Sequence, residues 1–282
     1  MAVPVTTKSQ QWKVLQRSPT FWVGLSITLM WVFLAVFGEY LTPYPPQGDP
    51  LDVLNRLQPP SVEHWFGTDE LGRDVLSRVI AGARQVLTVA LAATIIGTVC
   101  GTILGLVIGY YGGIVDDAIS RVLDAFLSIP LVITAMLALA ALGPNTFGVI
   151  VVIGLVFTPL IAKTVRAAVL NERQLDYVTA AQLRKESSFY IMFVEILPNV
   201  TNVITVEFTV RLGYAIFTVL ALSFLGFGVE PTLPDWGLAI SQHYGYLTGD
   251  VWWPVLFPAL AIASLVVGIN LLTDGITQAY ES

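Results

Sequence analysis

Six stretches of this chain are apolar for about as long as a bilayer is thick, and they constrain the fold more than anything else in it. A helix needs ~20 apolar residues to cross the hydrocarbon layer. Such runs lie near residues 21–41, 86–109, 122–142, 147–165, 203–227 and 252–272. In lipid every backbone N–H and C=O must be satisfied internally, and runs of this length do so as helices. The expected fold is therefore all-α, a polytopic membrane protein of six transmembrane helices. Only 12% of its 282 residues are charged, about half the share usual in soluble chains. The fourth run contains Pro159 and closes at Lys163.

Six spans place both termini on one side, and Lys and Arg in the connections say which. With the N-terminus inside, Lys8, Lys13, Arg17, Arg121, Lys163, Arg166, Arg173, Arg184 and Lys185 face the cytoplasm. Arg56, Arg73, Arg78 and Arg84 then lie outside, and nine against four favours that orientation. The outer connection 228–251 agrees, since it holds Glu230, Asp235 and Asp250 and no Lys or Arg. The other outer connection, 42–85, begins with Pro43, Pro45, Pro46, Pro50, Pro59 and Pro60, which favour an extended path. After these, Thr68 or Asp69 is placed to cap a short helix leading into the second span. Trp22, Trp31, Trp236, Trp252 and Trp253 fall mostly near span ends, where interfacial anchors sit.

Within this frame the polar insert 163–199 stands out. It has no Gly, its only Pro is Pro198, and most of its residues are tolerable or good helix formers. Ala180 and Ala181, flanked by Tyr177 and Arg184, are small enough for another protein's backbone to approach closely. The insert reads as a cytoplasmic helical docking surface.

Three patterns within the spans carry information. Gly97, Gly101, Gly105 and Gly109 recur every fourth residue in the second span. Each costs about 1 kcal/mol of helix propensity against Ala, so a close helix–helix approach is expected, either within the chain or against a second subunit. Glu207 and Arg211 lie one turn apart in the fifth span, where their side chains can pair. They serve either as a structural bridge or as a polar patch facing a substrate path or partner, because charges at membrane depth are costly unless paired or wet. Asp116, Asp117, Arg121 and Asp124 crowd the start of the third span, consistent with a solvated helix end.

No catalytic set is visible. There is no Gly-rich phosphate loop, because Ala162 stands where a Walker sequence ahead of Lys163-Thr164 needs Gly, and HExxH, CxxC and GxSxG are absent. His64 and His243 are far apart, and the single Cys100 lies in an apolar run. We therefore expect no catalytic residues, no metal and no cofactor, and energy for uphill transport has to come from elsewhere. The net charge of −6 is spread along the chain and argues against nucleic acid. A self-sufficient secondary transporter is the rival reading. It calls for ion sites and broken helices within the spans, and only Glu207–Arg211 is available.

Three stretches resemble the permease subunits of bacterial ABC importers of the dipeptide/oligopeptide/nickel group. They are HWFGTDELGRDVLSR from His64 to Arg78, LSFLGFG from Leu222 to Gly228 with PDWG at 234–237, and Trp252-Trp253 through Phe257-Pro258 to NLLTDG at 270–275. The resemblance implies the type I importer permease fold in the bacterial plasma membrane. It also implies a second homologous permease subunit, two cytoplasmic ATPase subunits, alike or a heterodimer, an extracytoplasmic solute-binding protein and surrounding membrane lipid. Di- or oligopeptides are the favoured solute, with nickel or another small solute as the alternative.

The domains implied are a cytoplasmic segment 1–20, a first helix 21–41, an outer loop 42–85, a permease domain 86–275 with a coupling loop 166–199, and a tail 276–282. The family's coupling motif reads Glu-Ala-Ala, three residues, Gly, nine residues, Ile, one residue, Leu-Pro. It aligns with Ala180, Ala181, Leu197 and Pro198, with Thr179 at the Glu, Lys185 at the Gly and Glu195 at the Ile. Asp176, Tyr177, Thr179, Ala180, Ala181, Arg184, Lys185, Leu197 and Pro198 are the implied ATPase-coupling residues. Because Lys takes a positive φ only at a steric cost, the turn is expected to shift to Glu186-Ser187. Ser187 or Ser188 would then cap a helix from Phe189 to Leu197.

Overall fold

A computed structural model describes residues 15–47, 55–143, 145–228 and 232–281. Lys8, Lys13, Pro50 and Glu230 of the arguments above lie outside the described residues. The regular structure among the described residues is helical, with one isolated bridge between Thr68 and Asp74. The helices are α1 Pro19–Leu41, α2 Val75–Tyr111, α3 Gly113–Leu127, α4 Leu131–Leu142, α5 Thr146–Glu172, α6 Asp176–Leu183, α7 Leu197–Phe224, α8 Trp236–His243 and α9 Trp253–Glu281. Among the described residues, five helical rods are long and apolar enough to cross a membrane, and a sixth span is counted if α3 and α4 are taken together.

That sixth span is not the straight helix expected over 122–142. α3 and α4 meet at 85°. The break falls at Ser128-Ile129-Pro130, where proline disfavours the helical conformation of the residue before it. Proline acts differently in the fourth span, because α5 continues through Pro159 to Glu172. The second span also begins earlier than expected, at Val75. Neither Thr68 nor Asp69 caps it, because Asp74 takes the Ser77 N–H at 2.8 Å.

The chain divides into two compact units, residues 1–91, 139–149 and 213–282 forming one and 92–138 and 150–212 the other. In the first, α1 lies on α9 at backbone contact. A Cβ added at Gly24 would sit 2.4 Å from the Leu272 nitrogen, so only Gly permits the approach. Across the same pair, Trp31 Nε1 donates to Ser264 Oγ at 3.0 Å. Trp31 and Trp236 rings stand edge to face at 4.9 Å, and Trp236 Nε1 donates to the Val79 carbonyl at 2.9 Å. Trp31, Trp236 and Trp253 are thus buried core residues rather than interfacial anchors, and of the five tryptophans expected at span ends Trp22 and Trp252 are exposed.

In the second unit the four glycines of α2 face α5. A Cβ would lie 2.9 Å from the Gly154 carbonyl oxygen at Gly97, 2.6 Å from Ile161 Cβ at Gly101, and 2.7 Å from Val165 and Val169 Cβ at Gly105 and Gly109. The spacing of four therefore serves packing within the chain. α3 closes on this pair through Leu123, which clusters with Ile108 and Ala162. Asp116 is not solvated. It is buried, and its carboxylate takes two bonds from Arg166, one of them from Nη2 at 2.6 Å. Asp124 pairs with Lys163 further along α3.

Candidate coupling surface and polar clusters

The insert 163–199 is three pieces rather than one. α5 runs through its first ten residues, α6 follows, and a third rod starts at Ser188. α6 closes with the Lys185 N–H on the Gln182 carbonyl (2.9 Å) and the Glu186 N–H on the Ala181 carbonyl (3.2 Å). This pair of bonds is a Schellman ending, whose C′ residue is left-handed and usually Gly. Here Lys185 itself adopts φ 60°. The turn therefore stays where the family's Gly would stand instead of moving to Glu186-Ser187, and the lysine carries the strain. Ser187 caps the following rod, accepting from the Tyr190 N–H at 3.2 Å.

No chain reversal occurs at Leu197-Pro198. Ser188–Tyr190, a π-helical stretch Ile191–Ile196 and α7 form one rod. In the wide turn the Leu197 N–H reaches back to the Met192 carbonyl, leaving room for the ring of Pro198, which has no N–H to contribute.

On α6 the two alanines face opposite ways. Ala181 is fully buried beside Val178, whereas Ala180 is exposed with Asp176, Thr179 and Leu183. Positions 176, 179, 180 and 183 recur at three and four residues, so they form one outward stripe. Leu183 is 80% exposed and Phe189, on the next rod, 67%. Both lie outside α5 and α7, so this stripe is an apolar-tipped surface.

Tyr177 turns inward, whereas Arg184 stays exposed and reaches along the surface. The Tyr177 hydroxyl donates to Glu172 Oε2 at 2.7 Å, and the Asn199 side chain bonds the same hydroxyl. Burial, then the Glu172 carboxylate, pushes the phenol up to about 12. Arg184 Nη2 donates to Glu195 Oε1 at 3.0 Å. Helix α6 is therefore tied by Tyr177 to the end of α5 and the start of α7. Beside this tie, an open cleft of about 380 Å³ separates α5 from α7. In the same unit Arg211 Nε donates to Glu207 Oε1 at 2.7 Å, so the two charges of α7 neutralise each other.

A second polar cluster was not anticipated. The stretch 64–78 folds on its own charges. Asp69 accepts from the Leu71 and Arg73 N–H groups and from Arg73 Nε at 2.6 Å, with Arg78 Nε 3.7 Å away. Asp74 caps α2 and meets His64 Nδ1 at 3.0 Å. Asp235 caps α8, holding the Leu238 N–H at 2.8 Å and the Ser223 hydroxyl at 2.9 Å, and burial raises its carboxyl above the ordinary range. Glu70 accepts from the Tyr246 hydroxyl, which raises the phenol, and the Glu70 N–H points at His243 Nε2. Asp, Arg and His alternating with Gly over fifteen residues was the available signal. Nothing local to it identified Asp235 or His243 as neighbours.

Comparisons place these features among known chains. Residues 101–282 match the family model of the binding-protein-dependent transport system inner membrane component, and residues 9–60 that of the N-terminal TM domain of oligopeptide transport permease C. A dipeptide transport system permease of Alkalihalophilus pseudofirmus is 36% identical over 272 residues, covering 96% of this chain and 88% of the relative. A di/tripeptide transport system permease of Pseudomonas aeruginosa is 37% identical, covering 92% and 86%. A dipeptide transport system permease of Escherichia coli is also 37% identical, covering 99% and 94%.

Proposed function

The chain belongs to the family of binding-protein-dependent transport system inner membrane components, and from that premise we propose that it is one of the two permease subunits of an ATP-driven importer of di- or oligopeptides. It is a multi-pass transport permease of the inner membrane, of type I ABC permease fold. The relatives named above handle dipeptides or tripeptides, and that supports the choice of solute. In this reading a second, homologous permease completes the pathway, and a solute-binding protein delivers peptide to the outer loops. Two ATPases dock on the cytoplasmic side, where both termini also lie.

The observation that carries the coupling role is the outward stripe Asp176, Thr179, Ala180 and Leu183 on α6. It lies outside the spans and is anchored to two of them by Tyr177. A partner that grips this stripe differently in its two nucleotide states can bias the permease, because coupling requires a differential contact. ATP closure would draw the two α6 helices of the permease pair together and open the cavity outward, and hydrolysis would reset it. The motif residues divide the work. Thr179 and Ala180 touch the partner, Ala181, Leu197 and Pro198 shape the scaffold, and Arg184 and Lys185 hold the turn.

The test is a cysteine at Ala180 paired with cysteines across the groove of the ATPase. We expect an oxidised cross-link in the assembled complex, and none from Ala181→Cys, which is buried. Absence of a cross-link from every exposed position between Tyr177 and Lys185 would refute the docking role. Identifying the ligand on the co-purified binding protein tests the solute.

A further inference from the structure

Glu207 and Arg211 stand ten and fourteen residues past Leu197 in a 28-residue helix, so they occupy the middle of α7. Ionisable side chains at that depth face a bundle interior or a wet cavity rather than lipid. Both are largely covered by their own chain, with side-chain exposures of 11% and 17%. Arg211 reaches Glu207 Oε1 through Nε at 2.7 Å and again through Nη2.

The face they share leads to a cavity. At about 100° per residue, Asn199, Val200, Val203, Glu207 and Arg211 fall within one arc of about 120°. Three of these, Asn199, Val200 and Val203, form the α7 wall of the 380 Å³ cleft, and Thr164, Asn171 and Glu172 stand on the α5 wall. Half of its eight lining residues are polar, so water can enter a cleft that a purely apolar lining would leave dry. Glu207 is the next residue of that face, one turn beyond Val203.

We propose that the Glu207–Arg211 pair flanks the path of the transported peptide beyond this cleft and keeps that path electrically neutral, so that acidic and basic peptides pass at comparable rates. This rests on the peptide-permease reading above. A lone carboxylate at that position would hold Lys or Arg side chains and repel Asp or Glu. A lone guanidinium would do the reverse. Two opposed charges one turn apart present only a short-range dipole to a passing side chain.

The experiment uses the whole complex in proteoliposomes with its partner subunits and binding protein. ATP-dependent uptake of labelled Ala-Ala-Ala, Ala-Asp-Ala and Ala-Lys-Ala is measured. Against Ala-Ala-Ala, Glu207→Gln should raise acidic and lower basic uptake by about tenfold each, and so raise their ratio by about a hundredfold, the order expected of one uncompensated charge roughly 10 Å away at an effective dielectric of roughly 20. Arg211→Gln should lower the ratio similarly, and the exchanged pair E207R/R211E should restore it. If Glu207→Gln does not assemble, Glu207→Asp withdraws the carboxylate by one methylene and should shift the ratio in the same direction. Equal slowing of all three peptides, or an unchanged ratio in the variants that assemble, makes the pair a structural bridge and overturns the proposal. Wild-type complex that takes up none of the three overturns the peptide reading itself, and the proposal with it.

Discussion

Replacing Gly101 by alanine tests the packing of α2 on α5 most directly, because two known effects oppose each other. Alanine gains about 1 kcal/mol of helix propensity over glycine. Its Cβ, however, would sit 2.6 Å from Ile161 Cβ, 2.8 Å from Ile161 Cγ2 and 3.0 Å from the Thr158 carbonyl oxygen. Carbon atoms are comfortable at about 3.5–4.0 Å, so the helices must part by about 1 Å. Ile161 cannot turn away, since its Cβ is fixed by the backbone. Overpacking of this kind costs about 1–3 kcal/mol, and the parted helices also disturb the contacts at Gly97 and Gly105. We expect G101A to lose about 1–2 kcal/mol net, or ~2–4 °C in a thermal melt of the detergent-purified protein. G245A, where nothing lies within 4 Å of the added Cβ, is the control and should be neutral within about 0.5 kcal/mol. In a double-mutant cycle, I161G should restore room, so that the two changes together cost less than their sum. A G101A protein as stable as wild type would refute the backbone-contact argument.

Other expectations follow from single contacts. Lys185→Gly removes the left-handed strain at φ 60° and should stabilise the turn by about 1 kcal/mol, read as a higher melting temperature, whereas Lys185→Ala should give no gain. Asp116→Asn leaves Arg166 half matched in a largely buried pair and should cost about 1–3 kcal/mol, with the exchange D116R/R166D recovering part of it in the same melt. For pH, the Asp235 carboxyl is raised by burial, so the folded state holds its proton more tightly than the unfolded one. Its contribution is fully present below the ordinary carboxylate range and is lost as pH rises through the raised value. Melting temperatures of D235N against wild type should therefore diverge in favour of D235N as pH climbs from 4 to 7, and parallel curves would contradict the assignment. Tyr177→Phe keeps the ring but cuts the tie to Glu172 and Asn199. It should lower peptide transported per ATP hydrolysed while leaving the amount of assembled complex unchanged.

Much of this protein was legible from one dimension, and the reason is the solvent. A bilayer demands apolar length and internal hydrogen bonding, so counting residues located the spans without any knowledge of their neighbours. Spacing rules worked where both partners lie on one helix, as for Glu207 with Arg211, and they found the glycine stripe of α2 without naming α5 as its partner. Ser187 was legible as a cap for the same reason. Local rules failed where two local preferences compete or where a distant residue decides. Lys185 takes the left-handed conformation because the Schellman bonds and the Ser187 cap hold the turn there, overriding a preference of about 1–2 kcal/mol. Ala180 and Ala181 looked equivalent until Val178 and the neighbouring rod fixed which one is inside. Asp116 seemed solvated because Arg166 is fifty residues away, and Trp236 seemed interfacial because Val79 and Trp31 are further still. The run 122–142 reads as one span although Pro130 lies within it, and the 85° bend between α3 and α4 emerges only in the structure. Apolar run length fixed what kind of chain this is and where its spanning helices lie, five among the described residues and six with the bent α3–α4 pair. The tertiary structure alone decided which charges cancel, which faces are left for partners and where a cleft opens, because those depend on the full set of neighbours each side chain meets.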